Sequence, residues 1–283
     1  MRTLILGAIF LATSTALAQD STNSPANIPP QVEHGSSRKI LATGIIAGMI
    51  GTSTIWAVDA WWQGRSHPFN FYSEGWFNDY SLGIDKVGHA YTSYFYFHTF
   101  HNIMLWGGFD PSTAFWWGAG ITELLAFCLE VGDGFSTFGF SYEDLLSNTF
   151  GLTYAALQTR IPWLQNFSLK WSYVPVGQRD GLDFTQHYDS HTYWLSFNIH
   201  ELLPDTWNGY WPKWLQLAAG YSVDDRQTRR EGVIGLDFNL EVLPAPSQDV
   251  LLVEKTLNMF HVPAPAMKFT DGKSPRFYLL HLE

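Results

Sequence analysis

The chain of 283 residues is 46% hydrophobic and 17% aromatic, enough for a sizeable core in one large domain or two small ones. Sixteen Lys and Arg against 26 Asp and Glu give a formal charge of −10, which argues against nucleic-acid binding and against attraction to an anionic membrane by charge alone. Thirteen Trp among only 15% charged residues fit either a body that touches lipid at headgroup level or a Trp-rich soluble core.

Met1-Arg2-Thr3, the apolar run Leu4 to Leu11, and the small residues Ala16 and Ala18 read as a secretory signal over residues 1–18. No cysteine follows it, so a lipid-anchored N-terminus is not expected. The single cysteine, Cys128, lies in an apolar segment and reads as a small core hydrophobe. Residues 19–37, mostly Ser, Asn, Pro, Gln and Gly, are too polar to bury much surface and read as a disordered linker. Ile40 to Trp62, with Asp59 its one charge, can cross a bilayer core of roughly 30 Å as a helix, and equally suits a buried or membrane-lying helix. Gly44, Gly48 and Gly51 on one side predict close packing on a neighbouring helix.

Arg65 to Gly83 is an aromatic loop, with Trp76 at its centre, of the kind that covers something. Helices are predicted from Ile84 to Trp106, from Pro111 to about Glu130, and from Ser141 to about Arg160, where Pro162 stops the last. Short connections make them antiparallel neighbours in a bundle of about four apolar helices, a helical domain over residues 38–162. Over residues 163–283 the period changes to two. Phe167 to Tyr173, Tyr193 to Ile199, Leu215 to Val223 and Ile234 to Val242 alternate apolar and polar residues, as antiparallel strands with one wet face. Leu251 to Glu254 and Phe277 to Leu282 are candidates for two more, Asp224 to Glu231 joins a hairpin, and Pro244, Pro246, Pro263 and Pro265 break up the tail. Barrel strands need about nine to eleven residues and only two segments reach that, so an α+β fold with a small antiparallel sheet on the bundle is favoured over an outer-membrane barrel.

The functional signal is a set of ionisable groups inside otherwise apolar helices, where burial is costly unless they pair with one another or with a ligand. Asp85 and His89 are one turn apart, with Tyr96 further along the same face. Such a pair can bind a metal, relay a proton or fix helix register. Lys86 beside that face argues against a divalent metal and for an anion such as a phosphate. On the third helix, Glu123 and Glu130 share a stripe with Trp116, Gly120 and Phe127, and Asp133-Gly134 lets a second carboxylate point back over the helix end. Glu130 and Asp133 can converge for acid and base work or on a hard cation. Ser141 opens the fourth helix with the spacing of a capping box, which leaves Asn148, in line with Gly151 and Ala155, in need of partners that Asp144 and the second-helix cluster can supply.

These landmarks, the aromatic loop through Trp76, Asp85-Lys86-Val87-Gly88-His89-Ala90, Glu130-Val131-Gly132-Asp133-Gly134-Phe135-Ser136, Gly139-Phe140-Ser141, Asp144, Asn148 and Gly151, resemble the YfiM-like bacterial envelope family of unknown function, domain of unknown function number 2279. Their order also looks distantly like that of VanZ-like membrane proteins, although the arginine-bearing loop expected there is replaced by Asp133 to Gly139. The resemblance implies a helical-core envelope protein and brings no activity with it.

The expectation is a protein secreted across the inner membrane into the periplasm or outer membrane of a Gram-negative bacterium. It associates with membrane lipid or another envelope component, and a pocket gathers Asp85, Lys86, His89, Glu130, Asp133, Asp144 and Asn148. As a hydrolase or transferase on a lipid or phosphate-bearing substrate it would use His89 as base or metal ligand, and Glu130, Asp133 and Asp144 in catalysis. Asp85, Lys86, Asn148, Trp76 and Ser141 would bind, and Asp85, His89, Glu130 and Asp133 could hold a divalent metal. The alternative is a non-catalytic assembly or scaffold protein whose polar network only fixes helix packing.

Overall fold

The computed structural model describes residues 36–73, 75–175 and 184–281. The signal and most of the linker expected at the N-terminus lie outside these residues. An N-terminal helical bundle is followed by a C-terminal six-stranded antiparallel sheet, an α+β fold.

Helix α1 (Ser36–Ala57) widens into a π-helical turn over Val58–Trp62. Helices α2 (Ile84–Trp106), α3 (Pro111–Gly134) and α4 (Tyr142–Gln158) follow. Local chemistry sets two of their starts. The Asp110 side chain accepts from Thr113 N ahead of Pro111, and the Ser141 hydroxyl accepts from Asp144 N, each supplying a partner for an amide that the first turn leaves unpaired. Helices α2 and α4 come into close contact at Gly151, where an added Cβ would lie 1.8 Å from the Ala90 carbonyl oxygen. The glycines of α1 do not behave this way: nothing lies within 4 Å of a Cβ at Gly44, Gly48 or Gly51. Instead α1 packs through Ala42 and Ile46 onto Phe100, Ile103, Met104 and Ala114, because those apolar side chains lie on its opposite side. Cys128, expected in the core, is exposed on α3, on the same outward side as Leu124.

The sheet runs in sequence order through β1 (Phe167–Tyr173), β2 (His191–Phe197), β3 (Leu215–Val223), β4 (Arg230–Phe238), β5 (Ala266–Thr270) and β6 (Arg276–Tyr278). Single-turn helices α5 (Ile199–Leu202) and α6 (Asp205–Asn208) join β2 to β3. Leu251 to Glu254, expected as a strand, belongs to helix α7 (Gln248–Leu257), because Ser247 caps its first turn by accepting from Val250 N. Strand β5 starts just after the prolines expected to break up the tail, and Pro265 accepts a bond from Leu236 N through its carbonyl. The free edge of β1 is taken by Met259 to His261, with Trp171 N donating to Met259 O and His261 N to Trp171 O.

The polar side of the strands, expected to be wet, is the buried one. Lys170 on β1 reaches Asp237 on β4 at 2.7 Å with both side chains fully buried, so the sheet curls far enough to bring those strands across from each other. Ser196 donates to the same carboxylate, and Trp194 stacks on His261 inside the curl. Lys170 also donates to the Phe238 carbonyl and to Asn258 Oδ1, and these bonds make the burial of its ammonium tolerable. The apolar side divides in two. Leu169, Trp171 and Tyr193 pack on Tyr91, Phe97 and Met259 at the seam with the bundle. Ile234, Met267 and Phe277 face outward and are exposed.

Candidate functional site

At one end of the bundle, the first turns of α2 and α4 and the last turn of α3 meet, and this places most of the sequence candidates together. Lys86, only 4% exposed, sends its ammonium between two carboxylates, 2.9 Å from Asp85 Oδ2 and 2.5 Å from Asp144 Oδ1. The His89 ring stands beside them, with Nε2 3.7 Å from Asp85 Oδ1 and 3.8 Å from Asp144 Oδ1, and Nδ1 3.9 Å from Glu130 Oε1. Asn148 Nδ2 donates to His89 Nδ1 (3.1 Å), and Ser93 Oγ donates to Asn148 Oδ1 (2.8 Å). Ser141 is buried between the acids: its amide donates to Glu130 Oε2 while its hydroxyl caps α4.

Not every candidate joins this cluster. Tyr96 turns toward α1 and shares a hydrogen bond with Ser53. Glu123 accepts from Thr149 rather than from the cluster, and Trp116 and Phe127 of its stripe face outward. Trp76 is exposed in the loop and makes no hydrogen bond to the cluster among the described residues. Asp133 lies at the cluster's edge and accepts a 2.7 Å bond from the Trp62 indole, whose ring lies so close over Gly132 that a Cβ there would come within 2.0 Å of it.

Three contributors were not legible beforehand. Tyr188 donates to Asp85 Oδ1 at 2.9 Å from the C-terminal half, Trp62 reaches back from the end of α1, and Ser93 orients the Asn148 amide. Ser93 lies one turn beyond His89 on α2, a spacing that could have flagged it. No periodicity connects residue 188 or residue 62 to the cluster.

The electrostatics follow from burial and from who faces whom. Burial works against a charged His89, but Asp144, Asp85 and Glu130 around it prevail and raise its ring to about 9. Burial also opposes ionisation of Asp85, yet His89 and Lys86 hold that carboxyl below its ordinary value. Glu130 shows the opposite outcome: burial, helped by Asp144 and Asp133, pushes it up to about 8 against the pull of His89. Asp133 rises to about 6, chiefly through burial, despite its bond from Trp62. With His89 protonated on both nitrogens, the Asn148 amide must turn over so that its oxygen accepts from Nδ1–H and its nitrogen donates to Ser93. His89 is the part that reaches solvent, with 29% of its side chain exposed, whereas Glu130 is 1% exposed.

Asp85, His89 and Asp144 offer ligand atoms within 4.8 Å of one another, a spacing that suits a metal ion. The Lys86 ammonium already lies between the two carboxylates, where a metal would have to sit, and so supplies the positive charge that would otherwise be missing. Glu130 Oε1 is buried with no hydrogen-bond partner. The arrangement can hold protons on His89 and Glu130 at neutral pH, accept one on Asp133, and present an imidazolium at the surface.

Residues 73–160, the stretch that carries most of this cluster, match the model of a family described as "Predicted periplasmic lipoprotein (DUF2279)". No curated protein and no solved structure matches the chain.

Proposed function

We propose that this is a membrane-associated protein of the bacterial envelope that performs acid–base chemistry, a hydrolysis or group transfer, on a lipid or phosphate-bearing envelope substrate. The description of the matched family supports the periplasm as its compartment. Apolar side chains exposed on several sides support lipid contact: Ile40, Leu41 and Ile55 on α1, Trp117 and Leu124 on α3, and Ile234 and Phe277 on the sheet. By length and composition the segments 36–62 and 111–134 suit a membrane. Helix α3 also carries Glu123, Glu130 and Asp133 and packs on α2 and α4, so it fits lying against the lipid better than crossing it.

The observation that carries the chemical reading is Glu130. Glu130 keeps a buried oxygen without a hydrogen-bond partner 3.9 Å from His89, the imidazole through which this cluster reaches solvent, so an unsatisfied acid stands beside the group that can meet a substrate. Because the surrounding carboxylates hold a proton on His89, its role shifts from the general base first expected to that of an acid. It gives a proton to the leaving group and steadies developing negative charge together with Lys86. Asp133, close to neutrality, is the carboxylate suited to take the proton of an attacking water.

The test incubates the full-length protein with vesicles of bacterial phospholipid extract and follows released products by mass spectrometry. Turnover by the wild type that His89→Gln and Glu130→Gln abolish, with unchanged circular dichroism and retained vesicle binding, supports the proposal. If neither variant alters any lipid product, or if both simply lose folded protein, the packing role favoured by the Lys86 bridge takes its place.

A further inference from the structure

A second polar site lies at the opposite end of the bundle, where α2 and α4 meet α7 and the start of β1. A cavity of about 320 Å³ opens there, lined by His98, His101, Asn102, Gln158, Lys255 and Glu241 among others. That volume is at the lower end for small-molecule sites. His89 and His101 are twelve residues apart on α2, so the cavity lies roughly 18 Å along the helix from the acid–base cluster, beyond the aromatic core of Tyr91, Tyr94 and Phe97.

Its polar side chains divide into those that are anchored and those that are not. His98 Nε2 is bonded to Gln158 Oε1 at 3.0 Å, and Gln158 spends its amide nitrogen on the Leu164 and Phe167 carbonyls. Glu241 accepts from Asn258 at 2.9 Å. By contrast Lys255, His101 and Asn102 make no hydrogen bond or ion pair to any of the described residues, although all three line the same cavity. Burial and the nearby Lys255 lower both histidines to about 4, so at neutral pH Lys255 is the cation of this wall and His101 an uncharged donor. Among the described residues the one acid lining the cavity, Glu241, forms no salt bridge with Lys255.

We infer that this cavity binds the oxyanion of a phosphate ester, with Lys255 supplying charge and His101 and Asn102 supplying hydrogen bonds. An ammonium, an imidazole N–H and a primary amide converging on one polar space match an anionic group with several acceptor oxygens. Lys255 lies on the inward side of α7, opposite the exposed stripe of Val250, Val253 and Leu257, so its ammonium faces the cavity.

The experiment uses the full chain and two probes in parallel: soluble glycerol 3-phosphate, followed by calorimetry, and flotation with phosphatidylcholine vesicles with and without phosphatidylglycerol. Lys255→Gln should weaken binding about tenfold or more, as expected for losing a charge-assisted bond, and His101→Gln should weaken it without changing net charge. Lys213→Gln, an equal charge change at an exposed residue away from the cavity, should leave binding unaltered. Saturable, Lys255-dependent binding of glycerol 3-phosphate supports the inference with a soluble ester as the source. Dependence on Lys255 and His101 that appears only with phosphatidylglycerol vesicles supports it with a lipid headgroup as the source. The inference is overturned if the wild type binds neither probe, or if Lys255→Gln and Lys213→Gln behave alike. These outcomes are independent of His89 and Glu130, whose variants should bind both probes as the wild type does.

Discussion

Replacing Glu130 with Gln should make the protein more stable at alkaline pH, the opposite of what removing a buried, hydrogen-bonded side chain usually does. Glu130 is raised in the folded state from an ordinary value of 4.5 to about 8, so the folded chain binds a proton there that the unfolded chain has released. Its contribution is therefore fully present below pH 4.5, is lost progressively as pH rises, and reaches its full cost above about pH 8. That span corresponds to roughly 5 kcal/mol as an upper limit. The nearby His89 shares in the titration, and its own stabilising charge is lost as pH rises from 6.5 through about 9. Losing the Glu130 partner removes part of the gain, leaving roughly 2–4 kcal/mol in favour of Gln at pH 9. Gln can still accept from Ser141 N, so the variant should match the wild type near pH 4.5. Thermal melts across pH 4.5–9 should show curves that coincide in acid and separate by roughly 5–10 °C at pH 9. A Glu130→Gln protein that is equally destabilised at both ends of the range would refute the claim that this carboxyl is buried uncharged.

Lys86→Met should leave Asp85 and Asp144 facing each other without their cation and cost roughly 3–5 kcal/mol, measured by urea unfolding. Adding Asp144→Asn to that variant should return part of the loss. Gly151→Ala should push α4 off the Ala90 carbonyl and lower the melting temperature by an amount equal to roughly 1–3 kcal/mol or more, while weakening the Asn148–His89 bond visible in the imidazole nitrogen spectrum. Trp62→Phe removes the donor that holds Asp133 down, so that carboxyl should titrate above its present value near 6 in a carbon-detected NMR titration. Lys170→Met inside the curled sheet should cost a similar roughly 3–5 kcal/mol, with Asp237→Asn as the compensating change.

Helix ends, the hairpin and the three-helix origin of the site could be read from the chain because each has a local cause. Asp110 before Pro111 and Ser141 three residues before Asp144 cap helices through bonds within one turn, and β3 and β4 alternate on either side of a polar run, although the strand expected over Ile234 to Val242 starts earlier, with Arg230 and Glu231 of that run paired in it, and ends at Phe238 before the turn over Leu240–Val242. Asp85, Lys86 and His89 were linked by helical spacing, and Asn148 by the small residues that let α4 close on α2. The alternation also located the strands, but it did not reveal which side of them is inside. Lys170, Ser196 and Asp237 are tolerable in the interior only because the curl brings them onto one another, and that depends on strands 67 residues apart. In the same way Gly44, Gly48 and Gly51 could promise a close helix contact, but which side of α1 meets α2 is decided by Ala42 and Ile46.

What the sequence determined by itself was therefore whatever a few neighbouring residues control: caps, periods, turns and the charged groups placed on each helix. Only the tertiary structure decided that Tyr188 and Trp62 reach the cluster, that Lys86 sits between two acids, and that Glu130 is left with an empty acceptor. A buried charge takes its protonation state from every group around it, and those groups come from parts of the chain that share no pattern.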